Sequence, residues 1–114
     1  MSAPLLTVIV PAYNSEDYLD RALTTLVGYG DELEAIIVND GSKDRTAEIA
    51  DEWASRYPSV KVIHQENKGH GGAVNAGLAA ATGTHVRVVD SDDWLERRAT
   101  NAVLDVLREE REAG

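Results

Sequence analysis

Short apolar runs recur along the chain and alternate with longer amphipathic stretches. The runs are rich in β-branched residues and lie at residues 5–10, 34–39, 60–64 and 85–89. Runs of this length and composition predict β-strands. The first run, which Pro11 ends, is apolar on both faces. Because strands inside a parallel sheet are covered on both faces, we expect this strand to lie centrally.

Each predicted strand is followed by a stretch in which apolar residues recur with helical spacing. Asn14 or Ser15 can cap the first helix, which Gly28 and Gly30 end, and small residues build the third helix from about Ala73 to Ala81. The predicted apolar stripes are Leu19, Ala22, Leu23, Leu26 and Val27 in the first helix, Ala47, Ile49, Ala50, Trp53 and Ala54 in the second, and Ala99, Val103, Val106 and Leu107 in a fourth helix over 99–111.

Strict alternation of strands and helices predicts an α/β fold with a Rossmann-like, mostly parallel sheet and helices on both of its faces. The length of 114 residues is typical of a single domain over 1–114. We expect Trp53 and Trp94 to pack in its core, because large aromatic side chains gain most from burial. The alternative for Trp94 is that it lines a ligand pocket.

Composition narrows the functional classes. The chain has no cysteine, which excludes disulfides, thiolate metal sites and cysteine nucleophiles. Its net charge of −9 argues against a nucleic-acid partner, since phosphate backbones require a basic surface. No apolar run approaches the ~20 residues of a spanning helix. We expect a cytoplasmic protein, with membrane association only through a longer parent chain.

Polar turns follow all four predicted strands. Ligands of open α/β sheets bind outside the carboxyl ends of the strands. Each turn alone is ordinary, because Asn, Asp, Gly and Ser dominate all turns. Four of them on one rim indicate a binding site. The turns are Pro11-Ala12-Tyr13-Asn14, Asp40-Gly41-Ser42, Asn67-Lys68-Gly69 and Asp90-Ser91-Asp92.

Two carboxylates, Asp90 and Asp92, lie two positions apart where the fourth strand opens into a loop. Together with diphosphate oxygens they suit Mg²⁺ or Mn²⁺. The alternative is that Asp92 or Asp93 caps a turn. The negative net charge favours the metal, because a diphosphate would otherwise meet bare carboxylates.

The glycine-rich segment 68–72 precedes the third helix and can approach a phosphate closely, or it can serve only as a tight connection. It does not complete the dinucleotide-binding or P-loop fingerprints. The histidines His64, His70 and His85 lack zinc-site spacing. His70 can touch a ligand, although a solvated loop position is the expectation.

The turns and their flanking residues also form an ordered set. The segments are Val8-Ile9-Val10-Pro11-Ala12-Tyr13-Asn14, Val38-Asn39-Asp40-Gly41-Ser42-Lys43-Asp44, Asn67-Lys68-Gly69 with Asn75-Ala76-Gly77, and Asp90-Ser91-Asp92-Asp93. In this order they resemble the motifs of family 2 glycosyltransferases, which have the GT-A fold. The resemblance covers most of the chain, from about Leu5 to Leu95.

The resemblance implies a nucleotide-sugar donor, commonly UDP-linked, a divalent metal (Mg²⁺ or Mn²⁺) and a usually inverting sugar transfer. Asp40 would contact the base. The implied nucleotide-binding residues are Pro11, Ala12, Tyr13, Asn14, Asp40, Gly41, Lys68, Gly69, Asp90 and Ser91, and the implied metal ligands are Asp90 and Asp92.

Two departures from the family pattern stand out. Many relatives carry Ala-Arg-Asn where this chain has Ala73-Val74-Asn75, so a basic contact to the donor is absent or supplied elsewhere. The family places its catalytic base and acceptor-binding elements beyond the segment that follows Asp90. No base is identifiable here, and after Leu95 only one amphipathic helix remains. We expect the donor-binding part of a longer glycosyltransferase, with a saccharide, lipid or protein acceptor left open.

Other functions stay open beside this one. A nucleotidyltransferase would favour a basic, glycine-rich turn after the first strand, where Pro11-Ala12-Tyr13-Asn14 stands instead. A dehalogenase-like phosphatase needs its paired aspartates after the first strand. A non-enzymatic fragment would only bind nucleotide, or form a homodimer through Ala99, Val103, Val106 and Leu107.

Overall fold

Four strands and four helices alternate along the chain. The structure is a computed structural model that describes residues 3–113. The elements are β1 (Leu6–Ala12), α1 (Leu19–Thr24), β2 (Leu33–Asp40), α2 (Thr46–Arg56), β3 (Val60–Gln65), α3 (Gly69–Ala80), β4 (His85–Val88) and α4 (Arg97–Ala113).

The strands form one parallel sheet in the order β3-β2-β1-β4. β1 pairs with β2 from Leu6↔Leu33 to Ala12↔Asn39 and with β4 from Leu6↔His85. The prediction of a parallel α/β sheet with an internal first strand is therefore confirmed. Because the strands are parallel, their carboxyl ends and the turns that follow them lie along one edge.

The two faces of the sheet are covered by different helices. Val8 and Val10 of β1 belong to the larger core, to which α1, α2 and α4 also contribute buried apolar residues. Ile9 and Ile36 belong to a smaller core that α3 covers. Gly77 of α3 lies so close to Ile9 that a Cβ would not fit there. The small residues of α3 thus let this helix approach the sheet closely.

The first strand runs further than expected. We predicted that Pro11 ends it, yet pairing continues through Ala12. The carbonyl of Ile9 accepts a hydrogen bond from the amide of Val89, so Ile9 and, two residues later, Pro11 direct their backbone polar groups towards β4. Pro11 has no amide that could continue the ladder towards β4, and the pairing of β1 with β4 ends at Ile9↔Val88.

The buried side of α4 differs from the prediction. Thr100, Leu104 and Leu107 are its buried residues, whereas Val103 and Val106 are exposed. An ion pair between Arg108 and Glu32, with N···O distances of 2.6 and 2.7 Å, ties the helix to the segment before β2. The face proposed for a homodimer is therefore not a continuous exposed stripe, because Leu107 packs in the core.

The two tryptophans behave differently. Trp53 is buried in α2 as predicted, and its indole N–H donates to Asp20 at 2.8 Å. The prediction for Trp94 is wrong, because this side chain is 52% exposed. The guanidinium of Arg21 lies 4.5 Å from the centre of its ring. A cation–π contact at the surface takes the place of burial.

A buried carboxylate joins the amino-terminal halves of three strands. Glu34 is 3% exposed, and it accepts hydrogen bonds from the Thr7 hydroxyl at 2.7 Å and Lys61 Nζ at 2.6 Å. Both the amide and the hydroxyl of Thr82, before β4, also donate to it, at 2.7 and 2.9 Å. Burial alone would raise the pKa of Glu34, but these donors lower it from 4.5 to about 2.

We predict that Glu34→Gln destabilises the fold in a pH-dependent manner. Because the folded-state pKa lies below the unfolded value, the stabilisation is present above pH 4.5 and is lost as the pH falls towards 2. The gap between the two pKa values corresponds to about 3 kcal/mol at neutral pH. Urea unfolding of both proteins between pH 7 and pH 2 measures the difference.

Glu66→Gln, at an exposed position, is the matched control and should change the free energy of unfolding by less than about 0.5 kcal/mol. A Glu34→Gln effect that stays constant down to pH 2 would show that Glu34 is not a buried ionised carboxylate.

Candidate functional site

The polar turns meet at the carboxyl edge of the sheet around a pocket of about 280 Å³. Elements that are distant in sequence contribute to it, namely the end of β1, the end of β2 and the first turn of α3. The lining residues are Pro11, Ala12, Tyr13, Asp40, Asn67, Gly69, His70 and Ala73.

Asp40 lies at the centre of this site. Its side chain is buried at the end of β2, and Oδ1 accepts hydrogen bonds from Gln65 Nε2 at 2.9 Å and the Lys68 amide at 2.7 Å. Burial alone would raise the pKa of Asp40, but the donors from Gln65 and from the amides of Lys68 and Gly69 outweigh burial and lower it. Asp40 is therefore a fixed, ionised acceptor in the pocket.

The backbone around Asp40 is also held in place. Gly41 has a φ of +72°, and a Cβ there would lie 2.7 Å from the amide nitrogen of Asn67. Asn67 Oδ1 in turn accepts the amide of Gly69 at 3.2 Å, where φ is +79°. At position 41, only glycine combines a positive φ with such a close approach to Asn67. The turn after β2 thus packs directly against the turn after β3.

The glycine-rich segment does not form a separate loop. We predicted a turn at 68–72 followed by a helix from Ala73, but α3 already begins at Gly69. His70 therefore lies in the first turn of a helix and not in a solvated loop. The hydrogen bonds that Asp40 and Asn67 accept fix where this helix starts. Asp40 is distant in sequence, so local residue patterns do not predict this contact.

Asn14 joins the first two turns. Its backbone adopts a φ of +48°, which asparagine tolerates better than most residues. Its amide donates to Ser42 Oγ at 3.0 Å, and its Oδ1 accepts the amide of Lys43 at 2.8 Å. The neighbouring amide of Ser15 donates to Thr46 Oγ1 at 2.7 Å. These contacts hold the β1–α1 loop against the start of α2.

The segment after β4 is anchored from the α1 side. The hydroxyls of Ser91 and Ser15 share a buried hydrogen bond of 2.6 Å. Arg21 donates to the carbonyl of Asp92 at 3.0 Å while it stacks on Trp94. The backbone that carries Asp90 and Asp92 is thereby fixed relative to the pocket.

Asp90 and Asp92 are both exposed, and neither lines the pocket, although Asp90 contacts the lining residue His70. Asp90 Oδ1 lies 3.0 Å from His70 Nε2. Asp93 Oδ1 accepts the amide of Trp94, its neighbour in sequence, at 2.8 Å. Within residues 3–113, no cluster of three or more His, Asp or Glu side chains is arranged to hold a metal by itself.

This arrangement accompanies a clear sequence relationship. Residues 7–114 match the family described as Glycosyl transferase family 2. The chain belongs to glycosyl transferase family 2. The protein EpsH of Bacillus subtilis (strain 168) is 44% identical over 97 residues, which are 84% of this chain and 28% of EpsH.

Solved structures of related proteins share the fold. TarS 1-349 of S. aureus in complex with UDP-GlcNAc is 32% identical, with a TM-score of 0.81 over 91% of this chain and 31% of that one. The mannosyltransferase PcManGT from Pyrobaculum calidifontis, in complex with GDP-Man and Mn²⁺, is 32% identical with a TM-score of 0.76, over 91% and 32%. The chain thus spans about a third of the length of these family 2 relatives.

The residues expected to bind nucleotide divide into two groups. Pro11, Ala12, Tyr13, Asp40 and Gly69 line the pocket. The other five do not line it and have contacts with the rest of the protein, namely Asn14, Gly41, Lys68, Asp90 and Ser91. The expected metal ligand Asp92 does not line the pocket either, and its carbonyl accepts a hydrogen bond from Arg21. Three lining residues were missing from the expected set, namely Asn67, His70 and Ala73. Asn67 had a signal, because it belongs to a motif segment, and so did Ala73, which opens the segment Ala73-Val74-Asn75 that stands where many relatives carry Ala-Arg-Asn.

A larger cavity of about 610 Å³ lies at the opposite edge of the sheet. Its lining includes Pro4, Glu34, Lys61 and Thr82, which are at or before the amino ends of the strands. We assign the ligand site to the smaller pocket, because ligands of open α/β sheets bind at the carboxyl ends and the family motifs meet there. None of the helices within 3–113 is long and apolar enough to cross a membrane.

We predict that Gly41→Ala destabilises the chain more than Gly30→Ala. Both glycines have positive φ, so each alanine costs about 1 kcal/mol of backbone strain. An added methyl group at Gly30 would meet nothing within 4 Å, whereas at Gly41 it would collide with Asn67. The collision should add about 1–3 kcal/mol. Urea unfolding of the two variants measures this, and equal losses would contradict the packing of the two turns.

Proposed function

We propose that this chain is the donor-binding part of a glycosyltransferase, which holds a nucleoside diphosphate sugar, in the first place a UDP-sugar, for transfer to an acceptor hydroxyl. The observation that carries the proposal is the pocket at the carboxyl edge, where the ionised Asp40 lines the interior and Asp90 stands at the rim. Structures of similar fold hold such donors, namely TarS 1-349 in complex with UDP-GlcNAc and PcManGT in complex with GDP-Man and Mn²⁺.

The pocket suits the nucleoside. The fixed carboxylate of Asp40 is an acceptor for an N–H group of the base, and Oδ1 is already engaged by the protein. Tyr13 is 49% exposed at the pocket wall, so its ring is available to contact the nucleoside. Pro11 and Ala12, whose side chains are small and apolar, also line this part of the pocket. This division of roles follows the one implied by the family resemblance.

The residues at the rim fit a divalent cation. Asp90 and Asp92 offer hard oxygen ligands, and Mg²⁺ usually binds one or two carboxylates together with substrate phosphates and water. Fewer than three protein ligands are therefore sufficient when the metal arrives with the diphosphate. The cation, Mg²⁺ or Mn²⁺, would neutralise the charge that develops on the departing diphosphate. The net charge of −9 makes such compensation necessary.

Under this proposal the chain binds the donor but lacks the catalytic base and the acceptor site. The relatives are about three times longer, and no catalytic base is identifiable among the residues that surround the pocket. We infer that residues 1–114 are one donor-binding domain of a longer enzyme, located in the cytoplasm. The base and the site for the saccharide, lipid or protein acceptor would then belong to the remaining two thirds.

We expect UDP affinity to rise at least about tenfold on addition of Mn²⁺, which corresponds to ~1.4 kcal/mol. Asp92→Asn should remove most of this gain, because an amide is a poorer ligand for a hard cation than a carboxylate. Isothermal titration calorimetry with UDP, with and without Mn²⁺, measures both effects.

Asp105→Asn is the matched control for charge, since it removes a carboxylate of α4 that pairs with Arg108 and does not line the pocket. It should leave the gain unchanged. Equal UDP binding with and without Mn²⁺ in the unmodified chain would rule out the metal role, and absence of any UDP binding would rule out the proposed function.

The isolated chain should bind the donor weakly and transfer no sugar. Positioned acid–base catalysis supplies about 10²–10⁴-fold in rate, and its absence removes that factor. Without an acceptor site, the advantage of proximity, about 7–11 kcal/mol of barrier, is lost as well. A radiolabelled UDP-sugar assay with a panel of acceptors measures transfer. Turnover that follows the purified chain and disappears in Asp92→Asn would mean that a base lies within these 114 residues.

A further inference from the structure

We propose that His70 is a positioning residue of the donor site, which holds the carboxylate of Asp90 at the mouth of the pocket. This inference rests on the proposed function for the identity of the ligand. The hydrogen bond itself is a property of the ligand-free chain, and the two parts can be tested separately.

The contact links two elements that are far apart in sequence. His70 lies in the first turn of α3, and Asp90 follows β4. His70 Nε2 and Asp90 Oδ1 are 3.0 Å apart. Because an ionised carboxylate only accepts hydrogen bonds, the imidazole donates through Nε2–H. His70 also lines the pocket, so this hydrogen bond runs along its mouth and not across a remote surface.

Burial does not hold these side chains together, since His70 and Asp90 are 65% and 62% exposed. An exposed aspartate without such a partner samples several rotamers. The hydrogen bond therefore selects one orientation of the Asp90 carboxylate.

The backbone on both sides of the contact is rigid. Asp40 accepts the amide of Lys68, two residues before His70, and Asn67 fixes the intervening Gly69. On the other side, the buried hydroxyl of Ser91 anchors the residue next to Asp90. The framework thus brings the imidazole and the carboxylate together before any ligand arrives.

This arrangement prepares Asp90 for a cation-bound diphosphate. The imidazole engages Oδ1, so Oδ2 remains free to bind, and the carboxylate is ordered in advance. Partners that orient a ligating carboxylate commonly change metal affinity by about 10–100-fold. For a hydrogen bond this exposed we expect an effect at or below the lower limit of that range.

The first measurement needs no ligand. Three-bond NMR couplings report the χ1 angle of Asp90 in the unmodified chain and in three variants, His70→Ala, His70→Gln and His85→Ala. Glutamine carries an N–H donor at about the reach of imidazole Nε2, and His85 is an exposed histidine at the far end of β4. We expect one Asp90 rotamer in the unmodified chain, in His70→Gln and in His85→Ala, and averaged couplings in His70→Ala.

The second measurement is the gain in UDP affinity on addition of Mn²⁺, by calorimetry on the same four proteins. We expect His70→Ala to lose about three- to tenfold of the gain, His70→Gln to keep most of it, and His85→Ala to keep all of it.

The outcomes separate this inference from the proposed function. An Asp90 rotamer that is unchanged in His70→Ala overturns the inference, and so does an unchanged Mn²⁺-dependent gain in that variant. A His70→Gln variant as impaired as His70→Ala overturns the role of the hydrogen bond. If the unmodified chain binds UDP no better with Mn²⁺, the proposed metal role and the ligand part of this inference fail together, whatever the couplings show.

Discussion

The candidate site depends on one electrostatic constraint, which is that the buried carboxylate of Asp40 must be supplied with hydrogen-bond donors. An ionised carboxylate away from water is costly unless it is paired or hydrogen-bonded. Here the donors are Gln65 and the amides that open α3. Because those amides must point at Asp40, the start of α3 is fixed. Its first turn then brings His70 to Asp90, which joins the ends of β2 and β4 through one helix.

A second buried carboxylate acts in the same way at the other edge of the sheet. Glu34 and Asp40 both project from β2 towards α3, since side chains on a strand alternate between its faces. Between them Ile36 and Val38 form the apolar contact with that helix. Glu34 accepts a hydrogen bond from the amide of Thr82 in the loop before β4, and Asp40 accepts one from the amide of Lys68 in the loop after β3. The smaller core under α3 therefore has a buried, hydrogen-bonded carboxylate at each end, Glu34 at one and Asp40 at the other.

These constraints favour a rigid donor site. The β1–α1 loop is tied to the turn after β2 by Asn14 and to the segment after β4 by Ser15. Most of the predicted site residues also form hydrogen bonds with a neighbouring loop, so a role in ligand binding would come in addition to this structural role. Substitutions at Asn14 or Ser91 would therefore affect geometry as well as direct contacts. The proposed binding of a diphosphate and a sugar would benefit from such order in advance.

The sequence by itself determined the element types, the parallel sheet and the edge along which the motif turns lie. Those features follow from local periodicity and from the rule that parallel strands share one carboxyl edge, and the motif segments place the chain in its family. The apolar stripe of α1 was predictable for the same reason, since its buried residues recur with helical spacing.

Only the tertiary structure decided which of several equivalent local options was used. The apolar residues of α4 cover a wider part of the helix surface than the part that packs on the core. In the orientation that allows the Arg108–Glu32 ion pair, Leu104 is buried and Val103 is exposed. Arg21 keeps Trp94 at the surface, and Ser15 takes the hydroxyl of Ser91. The pairing of His70 with Asp90 depends on where α3 begins, which a distant carboxylate sets. Each of these outcomes is a contact between residues far apart in sequence, to which local periodicity is blind.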